Sequence, residues 1–197
     1  ENAITDKTKA LFTEVVGNPN ANVADLEAIA AIAHKHGVPF LVDSTFTTPY
    51  LIKPFEFGAD IVIHSATKHL GGHANAMMGL VVDGGKFQWE GNPRFPHYNE
   101  PDVSYHGAVF AKDFGNAGFI TRLRTLMMRD LGACPSPFNS YLIVQGIETL
   151  SLRMRKMCDN AQKVAEYLEQ NENVSFVNYP GLASNKYHAL QQKYLPK

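Results

Sequence analysis

Apolar and polar positions follow a strand, helix, strand rhythm along the first half of the chain. Apolar runs rich in β-branched residues predict strands at Lys9–Val16, in "VPFLVD" ending at Asp43, in "DIVIH" and in "MMGLVVDG". Between the first two strands, helical spacing of apolar residues predicts a helix over Val23–His36 with Asn22 as its N-cap. A short helical piece is expected around "PFEFG". This alternation is typical of the α/β class, with a mostly parallel sheet and helices on both faces.

The second half of the chain has a different pattern. Residues 87–114 are rich in proline, glycine, aromatic and charged residues, which predicts a long irregular connection. Helices are predicted over Gly118–Asp130, Pro137–Gln145 and Ile147–Gln170, and "VSFVNYP" is predicted to be a lone strand. We therefore expect residues 1–150 to be part of a large α/β domain. Residues 151–197 would be a connecting helix and the start of a smaller C-terminal domain.

Composition narrows the functional classes. The 197 residues carry a formal net charge of -1, so there is no electrostatic case for a nucleic-acid or membrane partner. Two cysteines do not indicate a disulfide framework and favour a cytoplasmic protein. The chain begins without methionine and ends just beyond a short helical pattern, so we expect a piece of a longer protein, truncated at both ends.

Polar residues with chemical potential follow the first three predicted strands. If those strands are parallel, their carboxyl ends meet at one edge of the sheet, where open α/β sheets bind ligands. The residues concerned are Asn18, Asp43, Thr45, Ser65, Thr67 and Lys68. The topology therefore predicts one polar site rather than six separate side chains.

The residue types at this edge suit one ligand. Hydroxyls of Ser65 and Thr67 suit a phosphate, and a lysine amine such as that of Lys68 can form an imine with a carbonyl. Asp43 could hold a proton on a pyridine nitrogen. A phosphate, an aldehyde and a pyridine ring together describe pyridoxal 5'-phosphate. Taken singly, each residue has an ordinary alternative: a solvated lysine, a turn aspartate, or hydroxyls that satisfy backbone groups.

Eight histidines raise the question of a metal site. His69 and His73 are spaced four apart, but no Glu or Cys stands near them at zinc-site spacing. No metal site is predicted.

The stretch "DIVIHSATKHLGGHA" resembles the lysine signature of the Cys/Met-metabolism family of pyridoxal-phosphate enzymes, which includes the cystathionine synthases and lyases. The resemblance extends through "TEVVGNPNANVADLEAIAAIAHKHG", "LVDSTFTTPYLIKPFEFGADI" and "SPFNSYLIVQGIETLSLRM". Within the family, "YHGAVF" and "FITRLRTLMMRDLGACPSPFNS" are most similar to the O-acetylhomoserine sulfhydrylases. Two departures from the family pattern are His69, where an aromatic residue is usual, and Ser44, where Asn is common.

The resemblance implies a role for each residue at the edge. Lys68 would form the Schiff base and later carry a proton. Asp43 would pair with the pyridine nitrogen, and Thr45 would lie near the ring. Asn18 would bind the 3-oxygen of the ring. The phosphate would be bound by Ser65 and Thr67.

The resemblance also implies a fold and an assembly. The fold would be that of the fold-type I PLP-dependent transferases, with a mostly parallel seven-stranded sheet and a smaller C-terminal domain. Active sites would lie between subunits of a homodimer or homotetramer. The ring-stacking tyrosine and the substrate-carboxylate arginine would lie outside this chain.

The implied activity is a PLP-dependent γ-replacement in sulfur amino-acid metabolism and methionine biosynthesis. O-acetylhomoserine would react with sulfide or a thiol to give homocysteine or methionine. A cystathionine γ-synthase and a methionine or cystathionine γ-lyase of the same family remain alternatives. A more distant alternative is a catalytically silent fragment that binds a phosphate ligand.

Overall fold

A single four-stranded sheet organises the molecule, as seen in a computed structural model that describes residues 1–196. The strands are β1 (Leu11–Glu14), β2 (Phe40–Asp43), β3 (Ile61–Ser65) and β4 (Gly79–Asp83). They lie side by side in chain order, with β1, β2 and β3 parallel and β4 antiparallel to β3. The four strands predicted in the first half of the chain and the mostly parallel sheet are therefore confirmed.

Helices connect and cover the strands. The α-helices are α1 (Leu26–Lys35), α2 (Thr48–Leu51), α3 (Pro96–Asn99), α4 (Phe110–Phe114), α5 (Gly118–Arg122), α6 (Arg129–Leu131), α7 (Pro137–Glu148), α8 (Leu150–Glu169) and α9 (His188–Tyr194). Short 3-10 turns span Pro54–Phe57, Val103–Tyr105 and Gly115–Ala117, and a π-helical segment spans Leu123–Met128. The helical piece expected at "PFEFG" is the first of these 3-10 turns. No described helix has the length and apolar character that crossing a membrane requires.

The first helix begins later than its apolar pattern predicts. Val23 still forms an extended bridge with Val16, so the backbone there is not helical. The N-cap is Asp25, whose side chain accepts a hydrogen bond from the Ala28 amide at 3.4 Å. The predicted cap at Asn22 and start at Val23 are therefore wrong. The apolar spacing included Val23 in the helix, but Val23 pairs in extended conformation with Val16.

The segment 87–114 is more ordered than predicted. Its aromatic residues Trp89, Phe95, Tyr98 and Phe110 are buried and pack with Ile61 of β3 in one hydrophobic cluster. Aromatic side chains bury large areas, which is enough to fold an otherwise irregular segment onto the sheet. The prediction of an irregular connection is thus wrong where α3, α4 and the turn between them form.

The predicted helix over Gly118–Asp130 is one helical path with a change of pitch. It runs through α5, the π-helical segment and α6. Arg122 ends α5 and pairs with Asp102 at 3.6 Å, while its guanidinium lies over the rings of Tyr98 and Phe110. This side chain therefore ties the helical path to the aromatic cluster.

The C-terminal segment differs from its prediction in one element. Residues 174–180, the "VSFVNYP" segment, form no strand. Beyond them, Tyr194 and Leu195 at the end of α9 are buried in the cluster formed by α1 and β2, and the Tyr194 ring meets Phe57 edge-on at 5.0 Å. The division at residue 150 stays a prediction.

Candidate functional site at the carboxyl edge of the sheet

The carboxyl ends of β2 and β3 are joined by one hydroxyl. Asp43 is the last residue of β2 and its Oδ1 accepts the Thr45 amide at 2.8 Å. The hydroxyl of Thr45 then accepts the amide of Ser65, the last residue of β3, at 2.7 Å. Because the strands are parallel and in register, with Asp43 opposite Ile63, these three residues lie at the same edge.

Lys68 follows in a tight turn directly after β3. Its amide donates to the Ser65 carbonyl at 3.1 Å, and its side chain is exposed. Within residues 1–196, neither the Lys68 amine nor the Ser65 hydroxyl has a hydrogen-bond partner. Both polar groups are therefore available to a ligand at this edge.

The hydroxyl of Thr67 forms hydrogen bonds within the protein. Its hydroxyl accepts the Met78 amide at 3.0 Å and lies 3.4 Å from the Met78 carbonyl oxygen. The Thr67 amide also reaches that carbonyl, at 3.3 Å. Thr67, which is predicted to bind the phosphate, thus also fixes the turn to the start of β4. The contact between the Thr67 hydroxyl and the Met78 carbonyl oxygen is long, so the hydroxyl proton is free to reorient.

Asn18 lies in the loop after β1. Its backbone amide donates to the Glu14 carboxylate at 2.9 Å, and the peptide bond to Pro19 is cis. Asn18 lines a mostly apolar cavity of about 450 Å³ together with Phe46 and His69, the sequence neighbours of Thr45 and Lys68. The six predicted positions are therefore found at the ends of β2 and β3 and on the loops after β1, β2 and β3, at one edge of the sheet.

Burial lowers the pKa of both histidines that lie beside these loops. Burial lowers the pKa of His64, whose Nδ1 lies 3.1 Å from the Ser44 carbonyl oxygen. Burial also lowers the pKa of His69, and the nearby Arg153 charge lowers it further. The His69 ring meets Phe46 edge-on at 5.3 Å. Both imidazoles thus favour the neutral form and act as packing groups around the turn.

The two sequence departures have structural explanations. Ser44 is fully buried, and its hydroxyl bonds the Thr47 hydroxyl at 2.8 Å beneath the site. His69 fills the aromatic position with a ring that meets Phe46 edge-on. Neither departure alters the residues at the edge.

Sequence reasoning missed Arg153, which lies within the helix predicted over Ile147–Gln170 and was given no role at the site. Its guanidinium bonds the carbonyl oxygens of His69 and Leu70, in the turn that carries Lys68. A distance of 84 residues separates the two segments, so no local pattern links them. The glycines of "HLGGH" and "VQGIE" were the sequence signal that could have indicated this contact, because two backbones pack closely only where no side chain intervenes.

The chemistry of the available groups fits pyridoxal 5'-phosphate. One carboxylate, three hydroxyls, one amine and one carboxamide lie at one edge, and Asp43 uses only one of its oxygens in a protein hydrogen bond among the described residues. Asp43 and Ser65 end neighbouring parallel strands, which lie about 4.8 Å apart in a sheet, so both residues lie at the same part of the edge. Among residues 1–196 no group of three metal-binding side chains is found.

Comparisons with known proteins agree with this chemistry. The family model for Cys/Met metabolism PLP-dependent enzymes matches residues 1–197. The chain is 48% identical over 197 residues to a homocysteine/cysteine synthase of Saccharomyces cerevisiae, covering 99% of this chain and 44% of that protein. It is 46% identical over 200 residues to an O-acetyl-L-homoserine sulfhydrylase of Leptospira meyeri, covering 98% of this chain and 45% of that protein.

A solved structure has the same fold. It is a Campylobacter jejuni protein, provisionally named an O-acetylhomoserine (thiol)-lyase and described with N'-pyridoxyl-lysine-5'-monophosphate. The TM-score is 0.93 at 38% identity, covering 100% of this chain and 48% of that one. The chain thus spans about half the length of the relatives it matches.

Proposed function

Because the chain belongs to the Cys/Met metabolism PLP-dependent enzyme family, we propose that the protein catalyses a γ-replacement on an activated homoserine. O-acetylhomoserine and hydrogen sulfide would give homocysteine and acetate, as the γ-carbon to oxygen bond breaks and a carbon to sulfur bond forms. With a small thiol such as methanethiol, the product would be methionine. The observation that carries the proposal is the edge holding Asp43, Ser65 and Lys68, in a chain with 46% identity to a named sulfhydrylase.

The residues at the edge would hold the cofactor as follows. Lys68 would attach the aldehyde carbon, and the hydroxyls of Ser65 and Thr67 would donate to the phosphate. Asp43 would keep a proton on the ring nitrogen, Thr45 would lie near the ring and Asn18 would donate to the 3-oxygen. When bound in this way, pyridoxal phosphate supplies an electron sink for the carbanion at the substrate α-carbon.

Lys68 would also move a proton, because its amine is the basic group at this edge that could remove the α-proton of the amino acid. Asp43 would support proton removal at a distance, because its negative charge would hold the proton on the ring nitrogen. The Lys68 side chain is exposed, which would give the substrate access to its amine.

Borohydride reduction of the intact protein with bound cofactor, followed by peptide mass mapping, tests the attachment. We expect the reduced label on Lys68, and a label on any other lysine contradicts the site. Product analysis then tests the reaction: O-acetylhomoserine with sulfide should give homocysteine. Faster turnover of cystathionine would indicate the lyase, and absence of a visible absorption band would indicate a silent binding fragment.

We further propose a homotetramer or homodimer in the cytoplasm. Phe138, Tyr141 and Val144 project from one side of α7 and are 66%, 56% and 60% exposed, which is a large apolar face for a helix in a monomer. Both cysteines are free thiols, which suits a reducing compartment. Light scattering of the intact protein should give a dimer or larger, and a monomer contradicts this proposal.

We also propose that residues 151–197 connect the large domain to a smaller C-terminal domain. The 20-residue helix α8 supports this, because a long helix that starts directly after α7 can join two domains. Limited proteolysis of the intact protein should cut after α8 before it cuts within the sheet.

A further inference from the structure

The turn that carries Lys68 ends abruptly. It is a short helical turn, in which the Gly71 amide donates to the Ala66 carbonyl at 2.9 Å and the Gly72 amide donates to the Lys68 carbonyl at 2.8 Å. At Gly72 the backbone turns to φ +74°, so no further helical turn can form. The last carbonyl oxygens of the turn, those of His69 and Leu70, are therefore left without amide donors from the following residues.

Arg153 of α8 supplies donors to both carbonyls. Its Nη1 donates to the His69 oxygen at 2.8 Å, and its Nη2 reaches the Leu70 oxygen at 3.3 Å. The same Nη2 donates to the Gly146 oxygen at 2.7 Å, and Nε donates to the Thr149 hydroxyl at 3.1 Å. One planar guanidinium thus joins the turn of Lys68 to the junction of α7 and α8.

The packing around this guanidinium leaves little room for movement. A Cβ at Gly146 would overlap the backbone of Gly71, and a Cβ at Gly71 would come within 2.7 Å of Ile143. A Cβ at Gly72 would overlap the Arg153 guanidinium itself. The turn therefore rests directly on two helices, with its glycine backbone held against α7 and its carbonyls held by α8.

We propose that Arg153 is a positioning residue for Lys68, an inference that rests on the function proposed above. The Lys68 side chain is long and flexible, so its amine reaches the cofactor and the α-proton reproducibly only from a fixed backbone. Arg153 fixes that backbone from the carbonyl side, and Thr67 fixes it through Met78 from the other. The hydrogen bonds of the Arg153 guanidinium all go to protein oxygens, so the arginine would act through the turn.

The test compares Arg153→Met, Arg153→Lys and Arg155→Met in the intact protein. Arg155 lies on the same helix, is exposed, and makes no side-chain hydrogen bond to a described residue, so it is the matched control. Two readouts are taken before turnover: hydrogen exchange of the peptide 66–72 without cofactor, and the rate at which the visible absorption of the attached cofactor appears. Steady-state kcat and KM are measured on the loaded enzymes.

For Arg153→Met we expect faster exchange in that peptide and cofactor attachment slower by about tenfold or more. The value of kcat should fall about tenfold or more while KM changes by less than about twofold. Arg153→Lys keeps one donor and the charge, so it should recover part of both losses. Arg155→Met should match the wild type in every measurement.

The outcomes separate this inference from the proposed function. A wild-type protein that attaches no cofactor at Lys68 would refute the proposed function. A wild-type protein that attaches it normally, with attachment and kcat per folded molecule unchanged in Arg153→Met, would refute only the positioning role. If Arg153→Met does not fold, Arg153→Lys decides: unchanged attachment rate and kcat with lower stability would mean a purely structural arginine.

Discussion

Two aspartates at opposite ends of neighbouring strands serve different purposes. Asp60 directly precedes β3 and is 6% exposed, and its Oδ2 accepts both the His34 ring nitrogen and the Phe40 amide at 2.8 Å. Asp43 ends β2, is half-buried, and offers one oxygen to the Thr45 amide. One oxygen of Asp60 accepts two hydrogen bonds that join parts of the fold, whereas Asp43 accepts a single hydrogen bond within its own loop and leaves its other oxygen for a ligand.

The difference follows from the direction of the strands. Asp60 lies at the amino edge of the parallel sheet, where its carboxylate joins β2, β3 and α1. Asp43 lies at the carboxyl edge, where the loops diverge and leave space for a ligand. Each aspartate adjoins an apolar run in the sequence, so the local pattern does not distinguish them.

The largest effect on activity is expected from replacing Lys68, whose amine lies at the carboxyl edge of the sheet. Lys68→Ala should abolish covalent attachment of the cofactor and lower kcat by about 10³-fold or more, because both the anchor and the base are lost. The lysine side chain is exposed, so the midpoint of urea unfolding should stay near that of the wild type. Substantial turnover in this variant would show that another group moves the proton.

Asp43→Asn should have the next largest effect. An amide oxygen can still accept the Thr45 hydrogen bond, so folding should be kept, while the charge that we propose pairs with the ring nitrogen is lost. We expect kcat to fall about 10²-fold or more, with little change in unfolding free energy. Steady-state kinetics and urea denaturation measure the two quantities, and the reverse pattern would place Asp43 among the structural residues.

The matched change at the other edge, Asp60→Asn, should show that reverse pattern. The buried carboxylate loses its charge-assisted bond to His34 and must place an amide group among partners that suit an oxygen. We expect a loss of about 1–3 kcal/mol in unfolding free energy. Activity per folded molecule should be unchanged, and a selective loss of kcat would break the distinction between the two edges.

The smallest effect is a dependence of stability on pH. Burial lowers the pKa of His64 in the folded protein, so near the unfolded-state value of 6.5 the unfolded chain binds more protons. The contribution of His64 is thus fully present above that pKa and is lost as the pH falls through it toward the lower folded-state pKa. His64→Gln should flatten this part of the profile in urea titrations, while His106→Gln, at an exposed position, should not.

Much of the fold was predictable because its signals are local. The four strands have continuous apolar runs, and α7 and α8 begin within a few residues of their predicted starts at Pro137 and Ile147. The errors occur where distant residues compete with the local pattern. Val23 pairs with Val16 instead of starting the helix, and the aromatic residues of 87–114 fold a segment whose composition indicates a loop.

The residues of the site could be predicted from the sequence, whereas most of the hydrogen bonds that hold them in place could not. Asp43, Thr45 and Ser65 were expected together because parallel strands bring their carboxyl ends to one edge. The hydrogen bond from the Ser65 amide to Thr45 could not be foreseen, because it depends on how the two loops pack. The same holds for Arg153, because its contact with the turn of Lys68 joins segments 84 residues apart.

By itself, the sequence determined the residue types at the site and the order of strands and helices, since apolar periodicity and strand-end chemistry are written in consecutive residues. Only the tertiary structure decided which aspartate is satisfied by the fold, which helix closes the turn of Lys68, and where the long connection packs. Those outcomes depend on contacts between residues far apart in the chain, and a hydrogen bond or a close glycine contact is fixed only once both partners are in place.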